Sequence, residues 1–320
     1  MRFALMLEPQ QGLSNAEQSE IALLAEELGF EALFRSDHYQ SFPGPAGLPT
    51  TDAWAVLAGL ARDTTRIRLG ALVSPVTFRL PGNFAKVTAT VQEMSGGRLE
   101  VGLGAGWNEE EHRQYAFSFP PIDVRAEMLE EQLEILHGLW EEPDGWTFHG
   151  RHYTVDGALF APRPAGVGGR PPIIVGGQGR PRSIRIAARW ADEFNVTSSG
   201  PAEVADKYRQ LDEACAAIGR DPSSIVRSAM VGTLIARDEP ALEARADAML
   251  ARIGKEGTRE DPRAWLDARR SKWIMGTFDE ARAAVQRFSD AGVQRIMLQD
   301  MLPWDLEMIR DMGRELVGRV

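Results

Sequence analysis

The sequence predicts an α/β fold, a TIM (β/α)8 barrel with inserted segments, and three observations carry the prediction. Short apolar runs recur about every 30 residues through the first half of the chain, each followed by a helical pattern, which is the βα alternation of a parallel sheet. Eight such runs occur over the whole length, and eight parallel strands close a barrel. No glycine fingerprint follows the first run, where a doubly wound, two-lobed dinucleotide fold would carry one. The length of 320 residues fits one large domain or two ordinary ones, and as a barrel with insertions the chain is a single domain over 1–320.

The predicted strands are 2–7, 31–37, 67–73, 99–104, 172–176, 193–197, 226–236 and 295–299, and the predicted helices are 16–28, 52–63, 83–95, 123–140, 181–190, 202–218, 241–253 and 278–291. The first strand stops at Glu8 and Pro9. The third gives way at Pro75, which cannot donate to a ladder and forces its predecessor extended. The fourth helix is the clearest: Asp123 can cap it, and Leu129, Leu133, Leu136 and Trp140 recur at helical spacing. Insertions are expected near 39–51, 141–170 and 254–275. Within the second, residues 146–155 alternate around His149-Gly150-Arg151 as a β-hairpin does. The highly charged stretch 254–273 reads as a mobile helical excursion.

Composition removes several function classes. The longest stretch without Asp, Glu, Lys, Arg or His, residues 39–51, is too short for the roughly 20 apolar residues of a membrane helix. The apolar start meets Glu8 and Pro9 too soon for a signal-peptide core, so a cytoplasmic protein is expected. Cys215 is the only cysteine, which excludes an intrachain disulfide and Cys-rich metal sites, and its helical setting makes it a packing residue. A net charge of −10 with no basic block leaves no footprint for nucleic acid. His112 after Glu109-Glu110-Glu111, and His149 three before His152, lack zinc-ligand spacing, so no metal is expected and the acidic trio reads as a solvated helix start. Neither a Gly-x-Ser-x-Gly elbow nor a P-loop occurs.

In a βα barrel the chemistry sits at the C-terminal ends of the strands. After the second strand, Asp37-His38 reads as a general acid/base or a donor to a ligand ring, or simply as a strand-end Asp beside an imidazole. After the third, Val73-Ser74-Pro75 suits a bulge that brings backbone to a flat ligand, or an ordinary turn. After the fourth, Gly102, Gly104 and Gly106 alternate and strip one face of side chains, leaving room for a ring system. Trp107 follows as a candidate cover for substrate or as rim packing. After the fifth, Gly176-Gly177-Gln178-Gly179-Arg180-Pro181-Arg182 joins open amides, a helix N-terminus and two arginines, which points to a phosphate site.

These residues together resemble the luciferase-like monooxygenase superfamily and, within it, the branch dependent on coenzyme F420, a 5-deazaflavin. The resemblance runs through Arg35-Ser36-Asp37-His38, Val73-Ser74-Pro75-Val76-Thr77-Phe78-Arg79, the run from Ser95-Gly96-Gly97-Arg98 to Gly104-Ala105-Gly106-Trp107, Ile174-Val175-Gly176-Gly177 with Ala187-Ala188-Arg189-Trp190-Ala191-Asp192, and Gly276-Thr277. It implies a bacterial luciferase-like barrel, often a homodimer, that holds F420, or alternatively flavin mononucleotide (FMN), in its mouth. It implies that Leu72, Val73 and Ser74 form a bulge behind the ring, often with a non-proline cis peptide. Ala105, Gly106 and Asn108 would line the ring and its side chain, and Gly176, Gly177, Gln178 and Gly179 would take the phosphate.

The same resemblance places Asp37 and His38 near the deazaflavin and the substrate. His38 is expected to move the proton that accompanies hydride transfer, with Asp37 orienting it or bonding the ring. Trp107 and Glu109 are expected in the substrate pocket. Sugar-phosphate dehydrogenases of this branch carry a proton-donating glutamate where Trp107 stands, which argues against a sugar phosphate and passes any acid role to His38, Glu109 or water. The implied activity is hydride transfer to or from a small organic substrate, whose selection falls to 39–51, the hairpin near His152 and 254–273. The alternatives are an FMN monooxygenase that uses oxygen and a barrel that binds flavin without turnover.

Overall fold

The computed structural model describes residues 1–164, 169–254 and 260–319. Its strands are β1 (Arg2–Leu7), β2 (Ala32–Arg35), β3 (Arg68–Pro75), β4 (Leu99–Gly104), β5 (Trp146–His149), β6 (Thr154–Ala158), β7 (Ile173–Gly177), β8 (Glu193–Thr197), β9 (Val226–Ala236), β10 (Ile274–Thr277) and β11 (Arg295–Asp300). The neighbours run β11-β1-β2-β3-β4-β7-β8, and β9 pairs with both β8 and β11, so eight parallel strands close into a TIM barrel. These are the eight expected strands. The ninth, β10, was not anticipated: it pairs only with the far end of β9, Thr233 to Ala236, beyond the ring of eight.

The helices are α1 (Asn15–Glu27), α2 (Ala53–Asp63), α3 (Pro81–Met94), α4 (Glu109–Gln114), α5 (Ile122–Glu141), α6 (Pro181–Trp190), α7 (Pro201–Ala217), α8 (Glu239–Ile253), α9 (Pro262–Asp267), α10 (Phe278–Asp290) and α11 (Leu306–Glu315). Local chemistry sets several starts. Ser14 and Glu17 form a reciprocal capping box at α1, and Asp52 caps α2 through the Ala55 N–H. The α5 stripe of Leu129, Leu133, Leu136 and Trp140 is buried, but Asp123 lies inside the first turn rather than at the cap, which Pro121 occupies. Cys215 is buried in α7.

The expected hairpin forms, with β5 antiparallel to β6 and Phe148 opposite Val155. The charged stretch contains the short helix α9, while 255–259 of that stretch, and 165–168 of the earlier insertion, lie outside the described residues. Among the described residues no helix is long and apolar enough to cross a membrane, and no group of three or more His, Cys, Asp or Glu could hold a metal ion.

Strand alternation divides the core in two. One set of side chains faces the helices, and a smaller set, Ala4, Met6, Ala32, Phe34, Leu72, Ile174 and Met297, packs together with Val73 and Met230. Near the N-terminal ends of the strands this second set gives way to buried charge. Arg295 bonds Glu100 at 2.7 Å and Glu193 at 3.0 Å while its guanidinium lies over the Phe34 ring, and Arg68 also pairs with Glu100. Burial pushes the Glu193 carboxyl up, whereas Glu100, although equally buried, is held below its ordinary range by Arg295 and Arg68.

Candidate active site

The second strand was expected to reach Asp37, but it ends at Arg35 because the chain turns to place three polar side chains. Asp37 is buried and accepts from Ser74 Oγ at 2.6 Å and from Arg79 Nη1 at 2.5 Å. Arg79 also bonds Asp52 at 2.6 Å and the Tyr39 hydroxyl at 2.9 Å, and Tyr39 in turn donates to Asp52. Asp37 thus anchors a cation in the wall of the mouth. It does not orient His38, contrary to that part of the expectation, because both its oxygens are engaged with Arg79.

The carboxylate that meets His38 is Glu111, whose Oε2 lies 3.0 Å from Nδ1. The trio 109–111 does begin a helix, yet only Glu109 and Glu110 face solvent; Glu111 is fully buried. Asn108 caps α4 with its side-chain oxygen toward the Glu111 N–H. An Asn-x-x-Glu pattern signals a capping box, but here the glutamate reaches to the loop after β2 instead of back to its own cap. His112, the next residue, donates through Nδ1 to the Asn108 carbonyl and accepts from Thr77 Oγ1 at 2.6 Å. Burial lowers the affinity of its ring for a proton, in keeping with the neutral form that this donor-acceptor pair requires.

At the end of β3 the register with β4 shifts between Ala71 and Ser74, and the Leu72–Val73 peptide is cis. The Val73 side chain lies over β4 and β7. A Cβ at Gly104 or at Gly176 would come within 2.7 Å of the Val73 side chain. The space freed at Gly104, expected to receive a ring, is therefore filled by Val73, which also covers Gly176 and becomes a half-buried shelf at the mouth. Leu72 lies in the interior cluster, and Ser74 is buried and accepts from Trp54 Nε1.

The segment after β4 lines the rim. Ala105 and Gly106 are half-buried, and Gly106 takes a positive φ of 78° while its carbonyl accepts from Arg125 at 3.0 Å. Trp107 is 65% exposed and stands edge-on to His38, with ring centroids 5.9 Å apart, and to Phe42 at 5.3 Å. Glu109 is exposed beside it. Across the mouth, Glu8 at the end of β1 accepts from Gln299 at 2.6 Å and Gln10 at 2.8 Å.

The turn after β7 opens as a phosphate turn should. Nothing lies within 4 Å of where a Gly177 Cβ would point, Gln178 is exposed, and Gly179 has a φ of 64°. Gln178 borders a cleft of about 620 Å³ shared with Thr197, Ser198, Ser199 and Lys207. Lys207 packs against Gly179, where a Cβ would meet its Cδ at 2.7 Å. Of the two arginines, Arg180 stays at the turn as the exposed N-cap of α6, whereas Arg182 turns away to Glu130 at 3.5 Å and Asp123 at 3.8 Å on α5. A second cation besides Arg180 is Lys207, a lone lysine in α7 with no motif to mark it, which shares the cleft with Glu203 and Asp206.

Of the residues that build the site, Lys207 is the one that motif reading passes over, while Arg79 enters it only as the end of the run after β3 and Glu111 only as part of an acidic trio read as solvated.

Comparison with known proteins places this geometry. The family described as luciferase-like monooxygenase matches residues 1–297. An F420-dependent glucose-6-phosphate dehydrogenase of Microbacterium testaceum (strain StLB037) is 28% identical over 320 residues, covering 95% of this chain and 93% of that protein. The protein of the same name from Nakamurella multipartita is 35% identical over 189 residues, 58% of this chain and 53% of its own length. Among solved structures, an F420-dependent secondary alcohol dehydrogenase in complex with an F420-acetone adduct superposes with a TM-score of 0.82 at 20% identity, covering 99% and 98% of the two chains. Monooxygenase RslO1 from Streptomyces bottropensis does so with a TM-score of 0.81 at 24% identity, covering 99% of each. At such identities the superpositions speak for the fold, while the match over residues 1–297 fixes the lineage: this chain belongs to the luciferase-like monooxygenase family.

Proposed function

We propose that the protein is an oxidoreductase that binds coenzyme F420 in the barrel mouth and transfers hydride to or from a small organic substrate. The observation that carries this reading is the arrangement at one end of the barrel: the Val73 shelf, an open glycine turn with Lys207 beside it, and the His38–Glu111 pair. The likeness over nearly the full chain to a relative named for F420 dependence supports the same cofactor. When bound, the deazaflavin would supply the hydride chemistry.

The residues fit such a group. Gly176, Gly177, Gln178 and Gly179 leave backbone free to approach a phosphate, and Lys207 supplies positive charge there. Val73, flanked by Leu72 and Ser74, offers a flat apolar support, and Ala105, Gly106 and Asn108 border it. His38 holds or accepts a proton at Nε2, which has no partner among the described residues. Asp37 keeps Arg79 in place and so fixes the wall that carries Tyr39.

The substrate side is aromatic. Trp107, Phe42 and His38 meet edge to face, and Trp107 replaces the acid that a sugar-phosphate enzyme of this branch would place there. We assign a neutral organic substrate, with Glu109 at the rim, in a cytoplasmic homodimer; sedimentation of the purified protein tests the last point.

The test is a parallel titration with F420 and FMN, followed by quenching of the eight tryptophans. Tight binding of F420 and turnover of the reduced or oxidised deazaflavin support the proposal. Preference for FMN, with oxygen uptake, moves the protein to the monooxygenase reading that the likeness to RslO1 favours, and binding of neither overturns the assignment. His38→Ala is expected to keep cofactor affinity and lose turnover.

A further inference from the structure

Glu111 is connected in a way that determines the state of another side chain. Its own side chain is 1% exposed, and that of His38 is 13% exposed. Oε1 accepts the backbone N–H groups of Tyr39 and, at 3.1 Å, of Gln40, while Oε2 faces His38 Nδ1. Three donors therefore converge on one carboxylate from a loop 71 to 73 residues away in sequence. An ionised carboxylate only accepts, so the ring nitrogen against it must carry the proton. In the neutral imidazole this fixes Nδ1–H and leaves Nε2 with its lone pair. Phe42 and Trp107 stand edge-on to the same ring, at 4.5 and 5.9 Å between centroids, and limit its rotation.

We infer that Glu111 is a positioning residue that sets the tautomer of His38, making Nε2 the proton-accepting atom of the site. This rests on the proposed function only for the reaction it serves; the tautomer is a property of the protein alone. The carboxylate has a second task that makes it hard to replace, since the same group holds the backbone of residues 39 and 40, and with it the loop that starts the substrate wall.

Glu111→Gln separates the two tasks. The two backbone amides still need an acceptor, so the Gln oxygen stays on them and its NH2 turns to His38 Nδ1. Nδ1 must then accept, and the proton moves to Nε2. Proton–nitrogen correlation spectra of histidine-labelled protein without cofactor, with His38 assigned by its loss in His38→Gln, read this directly. The parent is expected to show the Nδ1–H form and Glu111→Gln the Nε2–H form. Turnover in the variant is expected to fall by about 10⁴-fold, the scale for an imidazole held in the wrong tautomer, with F420 affinity unchanged. Combined with His38→Ala, the loss should not grow further.

The parent spectrum tests the inference even if the variant does not fold: an Nε2–H ring in the parent overturns it. Retention of Nδ1–H or of full turnover in Glu111→Gln overturns it as well. Failure of the parent to bind F420 or FMN would refute the cofactor reading and leave the tautomer result standing.

Discussion

The side chain of Val73 lies against the bare α-carbon of Gly176, so closely that a Cβ on the glycine would come within 2.7 Å of Val73 Cγ1. Two strands that are not neighbours in the barrel order are thereby locked together by one missing methyl group, and the shelf at the mouth depends on it. Gly176→Ala is expected to lift Val73 and cost about 1–3 kcal/mol, the usual penalty of overpacking. Urea denaturation reads the stability and the titration reads the accompanying loss of F420 affinity. Unchanged affinity at lowered stability would mean that Val73 supports no ligand.

Arg79 is the only cation in ion-pair contact with Asp37 among the described residues, with buried Arg35 a more distant charge, and it also serves Asp52 and Tyr39. Arg79→Met should destabilise the chain by about 3–5 kcal/mol, because a buried carboxylate loses its hydrogen-bonded cation. Adding Asp37→Leu should restore much of that loss, since removing both charges is less costly than stranding one. Denaturation of the single and double variants checks both statements.

Lys207 stands beside Gly179 at the cleft of Gln178 and Thr197. Lys207→Gln is expected to weaken F420 binding on the order of tenfold at low ionic strength and to flatten its salt dependence, because a solvent-facing charge acts through a screened field. Gly177→Val, which closes the open space at the turn, should weaken binding at any salt concentration. Titrations at two ionic strengths distinguish the effects.

Asp300, at the end of β11, is fully buried; Oδ1 accepts the Leu302 N–H at 2.8 Å, and Oδ2 has no hydrogen-bond partner among the described residues. Burial pushes its carboxyl up to about 7 from an ordinary 3.8. Between these values the folded chain holds a proton that the unfolded chain has released, so this group's contribution makes stability fall as pH rises and then level off above about 7. The span corresponds to on the order of 4 kcal/mol. Asp300→Asn should remove that slope and be the more stable form at alkaline pH. Denaturation midpoints across this pH range provide the check, and a parent without the slope would contradict it.

Sequence by itself determined the scaffold. Period and punctuation are local, and apolar runs closed by Pro, Gly and acidic residues marked all eight barrel strands, from Arg2–Leu7 to Arg295–Asp300, and the hairpin around Gly150. Because a barrel presents its strand ends on one face, the positions worth inspecting, Asp37, His38, Val73, Gly106 and Gly177, followed from the same reading. Partnership did not. Whether His38 meets Asp37 one residue away or Glu111 far along the chain depends on how the loop after β2 crosses α4, and the space left by Gly104 and Gly176 was filled by a residue from a third strand. Each is a contact between distant segments, created only when the barrel closes, so charge pairing and packing at the mouth were decided by the tertiary structure.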